Sequence, residues 1–186
     1  MRISFDLDNV IFNIEPLYKR ANSEFGVEFK RPTHWDVDKC YPSNVTARLF
    51  ELFADDSLYT MPLISAEYPM ILNNILKNNK YETFFVTQRV LQQPQKSFQQ
   101  LRNAGINCHY EQVYDKKAKK VDVLKELDID LHFDDSPYVI ADCMRTGVKV
   151  AMISNNHTLY NHHLRDQIQY YKNLKTALLQ TGINIR

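Results

Sequence analysis

Four carboxylates in two tight pairs carry the chemistry of this 186-residue chain. Asp6-Leu7-Asp8 follows the short apolar run Ile3-Ser4-Phe5, and Asp134-Asp135 closes the run Leu131-His132-Phe133. Carboxylates gathered in a dry pocket repel one another and resist ionisation unless a cation neutralises them. A hard divalent ion with oxygen ligands, Mg²⁺ before others, resolves that conflict and leaves positions open for a substrate phosphate. A phosphate dianion at such a site also needs positive charge and hydrogen-bond donors. Thr87, ending the run Thr83-Phe84-Phe85-Val86, supplies a hydroxyl, and Lys119 or Lys120 supplies an ammonium.

These residues must be presented by strands. The runs ending at Asp6, Thr87 and Asp134, a weaker run from Cys108 to Tyr114, and Val148 to Ile153 are rich in β-formers. Helical patterns lie between them. One runs from Pro94 through Phe98 and Leu101 to Gly105; a second carries Val121, Leu124 and Leu127. A third begins at Ser136-Pro137, as N-cap and first helical residue, and stops at Gly147. Strands alternating with helices predict a parallel α/β sheet, and ligands of such sheets sit beyond the carboxyl ends of the strands. Residues 13 to 79 break the alternation with helical spacings at Leu17, Ala21 and Phe25, at Leu49, Leu52 and Phe53, and at Ile71, Leu72 and Ile75. They predict a small helical cap inserted after the first strand and returning to the sheet by the helix around Met70 to Leu76, leaving 1–12 and 80–186 as the catalytic core. The tail from Leu159 to Leu179 is expected to form one amphipathic helix, and the histidines, which show no ligand spacing, are expected on the surface or on helix faces.

The order of these elements resembles the haloacid dehalogenase superfamily of phosphatases, over about residues 3 to 155. Asp6-Leu7-Asp8-Asn9-Val10 matches its first motif, Thr87 its second, Lys120 or Lys119 its third, and Asp134-Asp135 its fourth. The inserted helices and Val86-Thr87-Gln88-Arg89 are similar to the 5'(3')-deoxyribonucleotidase group. The resemblance implies a three-layer Rossmann-like sheet and an aspartyl-phosphate mechanism. Asp6 would be nucleophile and Asp8 general acid and base, while Thr87, the Gln88 amide and Lys120 hold the phosphoryl group. Mg²⁺ would be held by Asp6, Asp135, the Asp8 carbonyl, and Asp134 alongside or through water. Arg89 either touches the phosphate or caps neighbouring backbone. The implied substrate is a small phosphomonoester, foremost a (deoxy)nucleoside monophosphate, with Trp35, Tyr41 and Tyr59 as candidates for stacking on a base.

Alternatives of the same chemistry are sugar phosphates or nucleic-acid ends, and a catalytically silent phosphate-binding module is a third. A signalling receiver domain gathers similar residues, but with its acidic pair on the first strand, the reverse of the order here. A formal charge of +1 argues against a broad nucleic-acid-binding surface. Three widely spaced cysteines suggest neither a disulfide framework nor a zinc site. No signal-peptide-like run and no window of about 18 apolar residues stand in the sequence, so the expected location is the cytoplasm, off the membrane.

Overall fold

The computed structural model describes residues 1–185. Six parallel strands form one sheet in the order β3-β2-β1-β4-β5-β6, with β1 Arg2–Phe5, β2 Glu82–Thr87, β3 Val113–Asp115, β4 Leu131–Asp134, β5 Val150–Ile153 and β6 Tyr170–Tyr171. The central strands are apolar on both sides because helices cover both faces. Phe85 packs with Ile3, Phe5 and Phe133 on one face, while its neighbours Phe84 and Val86 pack with Val121 and Leu124 on the other. Register brings Phe85, Phe5 and Phe133 side by side on β2, β1 and β4. The Phe5 and Phe133 rings stack 5.0 Å apart. Such an aromatic pair adds about 0.5–1.5 kcal/mol beyond its buried area.

Helices α3 (Tyr68–Lys77), α4 (Pro94–Asn103) and α7 (Leu174–Gln180) contribute to the first face. Helices α5 (Lys120–Glu126) and α6 (Pro137–Thr146) lie on the second. Helix α6 starts and stops where its sequence signals predict. Ser136 Oγ accepts from the Val139 amide at 3.4 Å, and Gly147 takes the left-handed φ of 79° that ends the helix. The tail is not the single helix expected from 159 to 179. A 3₁₀ segment over Leu159–Leu164, strand β6 and then α7 occupy it. Leu174 and Leu178 do lie on a buried helix face, but Tyr170 and Tyr171 are drawn into pairing with Met152 and Ile153 at the sheet edge. That partner lies far away in sequence, and periodicity cannot see it.

The residues between β1 and α3 build their own apolar cluster. Leu17 and Ala21 on α1 (Glu15–Glu24) meet Val45, Leu49 and Leu52 on α2 (Ser43–Phe53). Two chain crossings bound this segment: the Asn13 amide donates to Pro62 O at 2.8 Å and the Ile64 amide to Ile11 O at 2.9 Å. Helix α3 follows and sends Tyr68, Ile71, Leu72 and Ile75 into the sheet core.

At the start of α1, Glu15 is buried among Lys19 and Arg31, both at 2.7 Å, and His157 of the loop after β5, at 3.0 Å. Burial alone would raise its carboxyl, but these partners outweigh it and hold the pKa at about 2, against an ordinary 4.5. The stabilisation is therefore complete above the ordinary value and is lost as the pH falls from 4.5 through about 2. Lys19 and Arg31 are 57% and 42% exposed, so water screens the pairs. Glu15→Gln should cost about 1 kcal/mol at neutral pH, a fall of roughly 2–4 °C in Tm. Thermal melts at neutral pH and near pH ~2.5 check this: the gap between the two proteins should narrow in acid, and a gap that widens refutes the assignment.

Candidate active site

Where β1 ends, the chain stops pairing and folds on itself. The Asp6 amide still donates to Phe133 O on β4, at 2.9 Å, and the Ile11 and Phe12 amides then both return to Leu7 O. Asn9 adopts a φ of 57°, a conformation that Asn tolerates better than most residues. This tight loop buries Leu7 in the core while Asp6 and Asp8 both line a cavity of about 570 Å³. The cavity lies beyond the carboxyl ends of the strands, where β1 is flanked by β2 on one side and β4 on the other.

Three carboxylates converge beneath it. Oxygens of Asp6, Asp134 and Asp135 lie within 4.8 Å of one another, all in buried side chains. Lys120, at the first turn of α5, reaches 2.9 Å from Asp6 Oδ1 and 2.7 Å from Asp134 Oδ2. Of the two candidate lysines only Lys120 turns inward; Lys119 is exposed at the helix N-cap. Asp134 also accepts from His132 Nε2 at 2.7 Å and from the Ser136 amide at 2.7 Å. His132 is thus no surface histidine. It is wholly buried on β4 between Ser4 Oγ and Asp134. Burial pushes its pKa down, and the carboxylate beside Nε2 places the ring proton there.

The charges sort accordingly. Burial disfavours every carboxylate, but Lys120 and His132 bring Asp134 below its usual range. Asp6 is raised by burial, with Lys120 pulling it down and Asp134 and Asp8 pushing it up again. Burial and then Asp6 raise Asp135 as well. Fully ionised, three carboxylates against one ammonium would leave two negative charges in excess, and without a further cation that repulsion helps to raise Asp6 and Asp135. An all-oxygen donor set with that excess fits a hard divalent cation such as Mg²⁺, held by Asp6, Asp135 and Asp134. The Asp8 carboxylate stands outside this cluster.

Asp8 is instead gripped by Arg89. The guanidinium donates to both of its oxygens, Nη2 at 2.6 Å and Nε at 3.1 Å, and its Nη1 donates to Gln100 Oε1 at 2.9 Å. This corrects the backbone-capping expectation for Arg89. Its side chain is 1% exposed and committed to Asp8, the Gln100 and Ser97 side chains and the face of Tyr59, not to backbone. Thr87 is buried at the end of β2, and exposed Gln88 follows it; both line the cavity.

Of the three aromatic candidates, only Trp35 lines the cavity, edge-on to Tyr160 at 5.1 Å and to Tyr138 at 6.2 Å. Tyr41 does not reach it: its ring packs near Tyr18 in the helical cluster and its hydroxyl donates to Lys30 O. Tyr59 lies over Arg89 instead, at 5.0 Å. Two contributors escaped sequence reasoning. Tyr160 donates to Asp135 Oδ2 and receives a hydrogen bond from Asn9, while Asn161 donates to the Asp135 carbonyl. Both sit in the 3₁₀ segment read as helix, and no local signal marks them.

No family model and no curated protein matches the sequence. Solved structures do match its shape. A haloacid dehalogenase-like hydrolase of Streptococcus pneumoniae superposes with a TM-score of 0.62 at 14% identity, covering 98% of both chains. A chain described as a HAD-hydrolase of Bacillus subtilis, bound to magnesium, gives 0.58 at 12% identity, again over 98% of both. CbbY of Rhodobacter sphaeroides, in complex with xylulose-(1,5)bisphosphate, gives 0.51 at 15% identity over 95% of this chain and 94% of that one. The fold is haloacid dehalogenase-like. In the haloacid dehalogenase-like frame, the loop after β1, the end of β2, the start of α5 and the end of β4 meet at one cavity.

Proposed function

We propose that the chain is a Mg²⁺-dependent phosphomonoester hydrolase that works through an aspartyl-phosphate on Asp6. The observation that carries this reading is the meeting of Asp6 with Lys120, Asp134 and Asp135 at the floor of an open cavity. A carboxylate nucleophile facing a cation-seeking centre suits attack on a phosphoryl group. Asp6, Asp135 and Asp134 would hold Mg²⁺, which would supply charge neutralisation for the transferring group.

An Asp6 oxygen attacks phosphorus as the bond to the ester oxygen breaks, and Asp8 gives a proton to the departing alkoxide. Water then attacks the aspartyl-phosphate, its proton passes to Asp8, and the phosphorus–Asp6 bond breaks to release inorganic phosphate. Arg89 orients Asp8 for both transfers with its two-point grip. Thr87, the Gln88 amide and Lys120 steady the phosphoryl oxygens. The inserted helices act as a cap over the cavity, and Trp35 offers a flat face suited to the base of a (deoxy)nucleoside monophosphate.

Phosphate release from 4-nitrophenyl phosphate and from nucleoside monophosphates tests the reading. Activity should vanish in EDTA and return with Mg²⁺, and acid quenching during turnover should trap radiolabelled phosphate on the protein. Full activity in metal-free buffer, verified by elemental analysis, removes the metal from the mechanism. Turnover of nitrophenyl phosphate without any nucleotide turnover removes the nucleotide and leaves the phosphatase.

A further inference from the structure

The cavity above the carboxylates has no spare positive charge. Among the described residues that line it, the cations are Lys120 and Arg89. Both are committed, Lys120 to Asp6 and Asp134, and Arg89 to the two oxygens of Asp8. The inserted segment roofs the space with Trp35, Phe50, Phe53 and Leu58, and its only charged lining residues are Asp36 and Asp38. Asp36 is already paired with Lys39, at 2.9 Å, while two other cations of the inserted segment and α4 are engaged with carboxylates that do not line the cavity, Arg48 with Glu24 and Glu51 and Lys96 with Asp56. The mouth is apolar as well. Phe50 and Val90 are 55% and 57% exposed there and offer apolar surface to a bound molecule.

Resting on the phosphatase reading, we infer that the substrate carries its only anionic group on the phosphate that is transferred. The alcohol portion, which the roof receives, is uncharged and partly apolar. A second phosphate or a carboxylate on that portion meets an apolar wall, the Asp38 carboxylate and the Asp36–Lys39 pair, with no unengaged cation among the described lining residues. An unpaired charge removed from water in this way is strongly disfavoured, and a like charge beside it adds to the penalty. The selection is made by the inserted segment and is independent of which base or sugar the alcohol contains.

The test compares kcat/KM of the Mg²⁺-supplied full chain for benzyl phosphate, phosphoglycolate and a hexose bisphosphate. Benzyl phosphate should lead both anionic substrates by at least ~100-fold, the size expected when a like-charge juxtaposition costs a few kcal/mol. Adding a cation at the mouth, by Phe50→Lys or Val90→Lys, should raise the ratio of anionic to neutral turnover by about 10-fold. Either variant suffices should the other fail to fold. Phosphoglycolate or the bisphosphate turned over within about threefold of benzyl phosphate would overturn the inference while leaving the phosphatase standing, and so would a ratio that neither lysine moves. Absence of turnover with every phosphomonoester, nitrophenyl phosphate included, overturns the phosphatase reading and the inference together.

Discussion

Asp6→Asn should lower kcat by at least ~10³-fold and leave the protein as stable as before or more so. The first half follows from chemistry, since an amide oxygen cannot form the acyl-phosphate and is a weaker ligand for a hard cation. The second half follows from the electrostatics of the floor. Asp6 is 6% exposed and crowded by Asp134 and Asp135, and its carboxyl is raised because the folded protein disfavours its charge. Removing one of three buried carboxylates relieves repulsion without emptying the core. Loss of activity with a gain in Tm is the signature of a site whose chemistry strains the fold. Phosphate release and thermal melts in EDTA measure the two halves. Near-normal turnover would end the nucleophile assignment, and a large fall in Tm would show Asp6 to be structural.

Lys120→Met should damage both activity and stability. The ammonium is buried and is the charge partner of both Asp6 and Asp134. Its own pKa is raised because those carboxylates outweigh the burial that would lower it. Taking one member out of a buried charge cluster typically costs ~3–5 kcal/mol, here a fall in Tm on the order of 10 °C. Loss of a donor to the transferring phosphoryl group should lower kcat by a further ~10²–10³-fold. The double variant Lys120→Met with Asp134→Asn separates the two effects. Neutralising Asp134 removes the main uncompensated charge, so stability should return in large part while activity stays low. Recovery of activity in the double variant would mean that Lys120 serves only to balance Asp134.

Much of the site was legible because its residues sit where strands stop. Asp6, Thr87 and Asp134 each follow a run of buried β-formers, and a parallel sheet sends all such ends to one side. Ser136, Pro137 and Gly147 marked the ends of α6 for equally local reasons, since a cap and a left-handed residue act within one turn. The inserted helices were visible in their 3.6-residue spacing, and so was the return to the sheet through the helix around Met70 to Leu76: α3 turns its apolar face to the sheet while α1 and α2 pack on each other.

What local pattern leaves open is which side chain meets which across long stretches of chain. Lys119 and Lys120 are adjacent and alike in sequence; only the direction of the first turn of α5 puts one on Asp6 and the other in solvent. Arg89 reads as a residue for phosphate or backbone, yet Asp8, Ser97, Gln100 and Tyr59 converge on it from three other segments. His132 could be buried only because Ser4 and Asp134 stand ready to bond both ring nitrogens. Tyr41 and Trp35 are equally plausible base partners by composition. Packing buries one among helices and turns the other to the cavity. Residue types at strand ends, legible without any structure, carry the proposed chemistry. The tertiary structure alone decided the pairings of charge and the lining of the cavity, because those depend on contacts between residues that nothing in the local chain connects.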